Sequence, residues 1–163
     1  MSKSLSISKV LFLCTGNYYR SRFAELLFNS RTRDALLSWQ AYSRGLALER
    51  GSKNVGPISV LAVKGLETRG IHVPPGVRLP LQVCEQDLHA ADLVIALKEA
   101  EHRPLLAQRF PVWPDRVEYW HIDDLDVATS ETALAAIDQE VTGLLARLSR
   151  ANASVAAGPL GTR

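Results

Sequence analysis

Cys14, one of only 2 cysteines in the chain, ends an apolar run and precedes Arg20 by six positions, in the stretch CTGNYYRSRFAE. A thiolate is a strong nucleophile, and the planar fork of an arginine matches the oxygens of a phosphoryl group. Both groups can act on one ligand if residues 14–20 form a short loop between a buried strand and a helix. Successive N–H groups then face one concavity, and the helix N-terminus adds partial positive charge. Those dipoles, with Arg20, also stabilise a thiolate at Cys14. Gly16 is expected to take a backbone conformation closed to other residues, and Ser21 to begin the helix. A lone cysteine at a strand end also serves as a small buried hydrophobe. The strand before it, the helix after it, and the glycine and asparagine within the loop favour chemistry instead.

The flanking pattern supplies those elements. Residues 9–14 (KVLFLC) form a continuous apolar run typical of a strand buried on both faces, and residues 21–37 carry apolar positions at mostly helical spacing. A second strand is expected at 39–43, followed by a loop over 46–56 and a helix from Pro57 to about Arg69, stopped by Gly70. Ile58, Leu61, Ala62 and Leu66 would share one face of that helix. The proline-rich stretch 73–80 reads as a link. LVIAL at 93–97 is the second strong buried-strand candidate, 99–110 a helix, 117–122 a short last strand, and 130–150 a long helix opened by Ser130. Strands alternating with helices imply a parallel sheet covered on both faces, with ligands at the carboxyl ends of the strands, where Cys14 lies.

A chain of 163 residues, 47% hydrophobic and 22% charged, suits one domain with an ordinary core, and its formal charge of +2 singles out no class of partner. Residues 1–150 are expected to form that domain, and 151–163, small and containing Gly and Pro, a flexible tail. No stretch approaches the roughly 18 consecutive apolar residues of a membrane span, and residues 1–8 lack the apolar core of a secretory signal. The expectation is a cytoplasmic protein without membrane or nucleic-acid partners. Two cysteines without a Cys-x-x-Cys pair, and four scattered histidines, point to neither a disulfide framework nor a metal site, so no cofactor is expected.

VLFLCTGNYYRSRFAE resembles the active-site segment of the low-molecular-weight protein tyrosine phosphatases and their relatives, the thioredoxin-coupled arsenate reductases and protein-arginine phosphatases. The match rests on the strand and on Cys14, Gly16, Asn17, Arg20, Ser21, Ala24 and Glu25, and continues weakly to about residue 150. It implies a single-domain α/β fold: a central four-stranded parallel sheet in the order 2-1-3-4, helices on both faces, and a phosphate-binding loop after strand 1. By this resemblance Cys14 attacks phosphorus, Arg20 binds the phosphoryl oxygens and Ser21 hydrogen-bonds the thiolate. Asn17 holds the loop in shape, aided by Ser43 in YSRG, while Thr15, Gly16, Tyr18 and Tyr19 complete the substrate-binding loop. His102 matches a histidine that packs.

Cleavage of a phosphate ester through a cysteinyl phosphate needs an acid for the leaving group and a base for water, and one carboxyl group serves both. WHIDDLDVA offers Asp123, Asp124 and Asp126, and the resemblance aligns the acid with Asp124, although the proline that usually follows it is Leu125. Other departures bear on function. Tyr19 replaces a second cysteine that protects the nucleophile as a disulfide, so oxidation of Cys14 would reach irreversible forms. Tyr18 replaces the aliphatic residue that separates phosphotyrosine from phosphoarginine preference. Arg22 replaces a proline and is expected to add charge near the mouth. Arg78 in GIHVPPGVR matches a family arginine, but Pro75 stands where the family has histidine, so that histidine's contact to the loop is expected to be missing.

The activity implied is hydrolysis of phosphomonoesters, with protein phosphotyrosine first, on phosphorylated protein or small phosphomonoester substrates. Protein-arginine phosphatase and arsenate reductase are alternatives, the latter disfavoured because Lys98 stands where those relatives carry a relay cysteine and Cys84 is the only other thiol. A phosphate-binding module with little turnover is a reading of a different class.

Overall fold

The computed structural model describes residues 6–125 and 129–156, with the backbone alone for 154–156. Four strands, β1 (Ser8–Cys14), β2 (Trp39–Gly45), β3 (Leu93–Ala96) and β4 (Glu118–Tyr119), form an all-parallel sheet in the order β2-β1-β3-β4. Five helices surround it: α1 (Arg20–Asp34), α2 (Val60–Glu67), α3 (Glu85–Ala90), α4 (Glu99–Arg109) and α5 (Ser130–Ala156).

The unbroken apolar run of β1 follows from its central place. Val10 and Phe12 enter the core beneath α1, α2 and α5, with Phe23, Leu27, Ala62, Leu66, Ile137 and Val141. Leu11 and Leu13 enter the opposite core beneath α3 and α4, with Leu88, Leu105 and Leu106. The period of two thus delivers alternate side chains to two cores, each large apolar residue contributing about 1.5–3 kcal/mol on burial. Phe12 touches both Phe28 and Trp120, at centroid distances of 6.0 and 5.5 Å. β2 lies at one edge of the sheet, where the Asn29 side chain donates to the carbonyl of Ala41 and accepts its N–H at 3.0 and 2.7 Å, closing part of the open edge.

Several boundaries differ from the sequence reading, for physical reasons. α2 begins at Val60 rather than Pro57, because Ser59 caps it by accepting the N–H of Leu61 at 3.2 Å. Leu61 is left partly exposed while Ile58, Ala62 and Leu66 are buried. α5 starts at Ser130 as read, and the capping group is the Thr129 hydroxyl, which accepts from the N–H of Thr132. α5 runs to Ala156 rather than stopping near residue 150. The last strand shrinks to two residues at the sheet edge, and the short helix α3 has no counterpart among the sequence expectations. Cys84 precedes it, exposed, with its sulfur 3.3 Å from Asp87 Oδ2. Residues 157–163 of the expected tail lie outside the described residues.

Candidate active site

β1 ends at Cys14 in the middle of the sheet, and α1 starts at Arg20, so residues 14–20 form a tight loop at the carboxyl edge. The loop's outer carbonyls are used up by neighbouring backbone: Cys14 O accepts from Leu46 N and Thr15 O from Ala47 N, both at 2.9 Å. The N–H groups of residues 16–20 have no protein acceptor among the described residues, so they remain available to an anion. The left-handed residue of the loop is Asn17, at φ +52°, and not Gly16 as the sequence suggested. The glycine the loop cannot do without is Gly45 on β2, where an added Cβ would meet the carbonyl oxygen of Thr15 at 2.9 Å and the backbone nitrogen of Asn17 at 3.2 Å.

The amide of Asn17 organises what lies beneath. Its Oδ1 accepts from the backbone N–H of Leu81 and from Arg78 Nη1, each at 3.0 Å. Since a backbone N–H can only donate, the Nδ2 end must face the other way, where it donates to Ser21 Oγ and Ser43 Oγ at 2.9 Å. Ser43 in turn donates to Glu25 Oε1, and Arg78 Nη2 donates to Glu25 Oε1, Ser43 O and Ser43 Oγ. The Ser21 hydroxyl, which accepts from Asn17, keeps its own hydrogen free and lies 2.9 Å from the Cys14 sulfur, where it can donate to a thiolate. Arg78 and the Leu81 N–H thus support the loop from the segment where the sequence suggested a contact would be missing. Arg22, expected near the mouth, is instead buried, its Nη1 donating to the carbonyl of Arg78 at 3.1 Å.

Arg20 is 2% exposed. Its Nη1 donates to Ile122 O at 2.9 Å and its Nη2 to Glu101 Oε2 at 2.6 Å, with Asp124 Oδ2 3.4 Å from the same nitrogen. Burial lowers the pKa of Arg20, but the charges of Cys14, Glu101 and Asp124 outweigh it and hold the pKa above the ordinary value. Glu101 Oε2 also accepts from Thr15 Oγ1. His102 has Nδ1 accepting from Lys98 N at 2.9 Å, so its proton sits on Nε2, 2.8 Å from Glu101 Oε2 but out of line for a good hydrogen bond. His102 therefore does more than pack: it stands behind Glu101.

Burial raises the Glu101 carboxyl pKa, yet the adjacent His102 Nε2–H, the charge of Arg20 and the hydrogen bonds from Thr15 and Arg20 together hold it far below the usual carboxylate range. A depressed folded-state pKa adds stability that is present above the unfolded value and lost as pH falls below it. Denaturant unfolding between pH 6 and pH 3 is therefore expected to cost the wild type more than Glu101→Gln, by about 2 kcal/mol once partial solvent exposure is allowed for. Equal losses in the two proteins would remove Glu101 from this account.

A cleft of about 140 Å³ opens beside the loop, lined by Cys14, Gly16, Tyr18, Tyr19 and Arg20, with Asn54, Ser59, Asp124 and Leu125. Tyr18 is pinned as one wall, its hydroxyl donating to Val55 O at 2.7 Å and its carbonyl accepting from Ser59 N at 2.9 Å. Tyr19 is buried and reaches across to Ser130, 3.1 Å from its hydroxyl, tying the loop to the start of α5. Of the candidate acids, Asp124 lies in the cleft, 46% exposed. Asp123 is ion-paired with Lys98, and Asp126 lies outside the described residues. Thr15, Asn17, Ser21 and Ser43 engage the surrounding framework rather than the cleft lining. Sequence reasoning missed Glu101, Asn54, Ser59 and the carbonyl of Ile122. Only the adjacent Glu101-His102 pair carried any signal.

Among the described residues no cluster of three His, Cys, Asp or Glu is placed to hold a metal, and no helix is long and apolar enough to cross a membrane. Comparison with known proteins agrees with the loop. The chain is 32% identical over 123 residues to an arsenate reductase of Bacillus licheniformis, covering 74% of this chain and 76% of that protein. It is 28% identical over 109 residues to a protein-arginine-phosphatase of Bacillus subtilis, covering 66% and 67%. A solved low molecular weight protein tyrosine phosphatase from T. tengcongensis superimposes with a TM-score of 0.68 at 28% identity, over 88% of this chain and 98% of that one. The model of the low molecular weight phosphotyrosine protein phosphatases matches residues 9–154, and the chain belongs to that family of cysteine-dependent phosphatases.

Proposed function

We propose that the protein hydrolyses phosphotyrosine in proteins through a phosphocysteine intermediate, with Cys14 as nucleophile, Arg20 and the loop amides as phosphoryl clamp, and Asp124 as acid and base. The observation that carries this reading is the cleft in which Cys14, Arg20 and Asp124 meet beneath a loop of unpaired N–H groups. In the first step the Cys14 sulfur bonds to phosphorus as the phosphorus–oxygen bond to the phenol breaks, and Asp124 gives its proton to the departing oxygen. In the second, Asp124 takes a proton from water as the water oxygen bonds to phosphorus and the sulfur–phosphorus bond breaks, releasing phosphate. Donors fixed in place before the charge spreads over the phosphoryl oxygens lower both barriers.

The wall formed by Tyr18 and the apolar Leu125 suits a flat aromatic leaving group, which favours phosphotyrosine over phosphoarginine. Arsenate reduction through a thiol relay has only Cys84 to draw on besides Cys14, and Cys84 stands outside the cleft lining. Matched peptides bearing phosphotyrosine or phosphoarginine, assayed by phosphate release in the presence of chelator, test the substrate. The expected kcat/KM favours phosphotyrosine at least tenfold. A preference for phosphoarginine would reassign the substrate while keeping the chemistry.

A further inference from the structure

The first turn of α1 holds two arginines, Arg20 and Arg22, and no acidic residue, and its N-cap Tyr19 makes no side-chain capping bond. A helix N-terminus already carries partial positive charge, so cations there are unfavourable unless an anion faces them. Both arginines are almost fully buried, at 2% and 1% exposure, which adds the cost of desolvation. Arg20 has its carboxylates. Arg22 has no carboxylate within ion-pairing distance among the described residues: Nη1 donates to Arg78 O at 3.1 Å, and the buried Nε has no partner. Burial first and Arg78 second lower its pKa, opposed by Glu25 and the Cys14 sulfur, and a guanidinium nonetheless remains charged.

A chain of hydrogen bonds runs from Arg22 to the nucleophile. Arg22 donates to the carbonyl of Arg78, the Arg78 guanidinium to Asn17, Asn17 to Ser21, and Ser21 contacts Cys14. Glu25 accepts from both Arg78 and Ser43, so its negative charge is shared within that framework. Glu25 is the first anion acting on Arg22 and the Cys14 sulfur the next, while Arg78 and Arg44 add positive charge around it, so a Cys14 thiolate and a phosphoryl group docked on it face a surplus of positive charge.

We propose that Arg22 is a positioning residue of the phosphatase site: a second fixed positive charge, behind the loop, that favours the Cys14 thiolate and the bound phosphoryl dianion. Its charge acts through the loop rather than by touching substrate, so charge and not shape is the quantity to test. The proposal rests on Cys14 being the nucleophile, but its test does not require turnover.

The test compares wild type, Arg22→Met and Arg22→Lys. Alkylation of Cys14 by anionic iodoacetate and by neutral iodoacetamide is followed by peptide mass spectrometry, and the ratio of the two rates reports the local positive potential. The exposed Cys84 in the same samples is the internal control. Arg22→Met is expected to lower the ratio at Cys14 about fivefold, as loss of one nearby charge should, while Arg22→Lys stays within about twofold of wild type and the ratio at Cys84 is unchanged. Inhibition by inorganic phosphate should weaken in parallel in Arg22→Met. An unchanged ratio in folded Arg22→Met, or an equal fall in Arg22→Lys, would overturn the assignment. If the methionine variant does not fold, Arg22→Gln is read by the same criteria. Failure of wild type to hydrolyse any phosphomonoester would instead strike the phosphatase reading itself and leave the alkylation ratio interpretable.

Discussion

Replacing Cys14 by serine is expected to abolish hydrolysis of p-nitrophenyl phosphate, lowering kcat by roughly 10⁴-fold or more. A serine hydroxyl is far less acidic than a thiol, and Asp124, protonated in the first step to serve the leaving group, does not take its proton. Ser21, the group within hydrogen-bonding distance of the sulfur, is a neutral hydroxyl that already accepts from Asn17 and is no base. The cradle should survive the change: the Asn17, Ser43, Arg78 and Glu25 bonds do not involve the sulfur. Phosphate binding measured by calorimetry is therefore expected to persist in Cys14→Ser while turnover vanishes. Wild type that binds phosphate and fails to turn over would make the loop a binding module. Equal turnover in wild type and variant would place the chemistry on another residue.

Asp124→Asn should slow turnover by about 10²- to 10⁴-fold, the range for loss of a general acid. Leaving-group chemistry sharpens the expectation. Phenol leaves reluctantly as an anion, whereas nitrophenol leaves readily, so the loss should be larger on a phosphotyrosine peptide than on p-nitrophenyl phosphate. Asp123→Asn serves as comparison, because Asp123 is ion-paired with Lys98. Its expected loss is less than tenfold. If Asp123→Asn proves the slower variant, the two adjacent carboxylates exchange roles. The absence of a leaving-group effect would show that Asp124 does not protonate the leaving oxygen.

The elements that the sequence made legible are local ones. The run from Val10 to Cys14 and the helix after it follow from patterns a few residues long, and they bring Cys14 and Arg20 together because only six positions separate them. The strand order followed from the resemblance of that segment, and the choice of Asp124 from the resemblance of WHIDDLDVA about a hundred residues later. The start of α2 went astray where capping competed with periodicity, because Ser59 holds it by one side-chain hydrogen bond, whereas α5 starts at Ser130 as read. The left-handed turn was assigned to Gly16 on composition, whereas Asn17 adopts it because Leu81, Arg78, Ser21 and Ser43 use every hydrogen-bonding site of its amide.

What the sequence alone made legible is thus the strand, loop and helix that hold Cys14 and Arg20 six positions apart and the α/β layout, consequences of short-range pattern and of the resemblance. Tertiary structure alone decided how those groups are held. Glu101 reaches Arg20 from 81 positions away, Arg78 reaches Asn17 from 61, and Ile122 O reaches Arg20 from 102. It also placed Arg22 beneath the loop rather than on the surface. Such contacts leave no periodicity in the chain, because a hydrogen bond between distant segments depends on where the sheet and helices bring them, and that is settled by packing of the two cores on either side of β1.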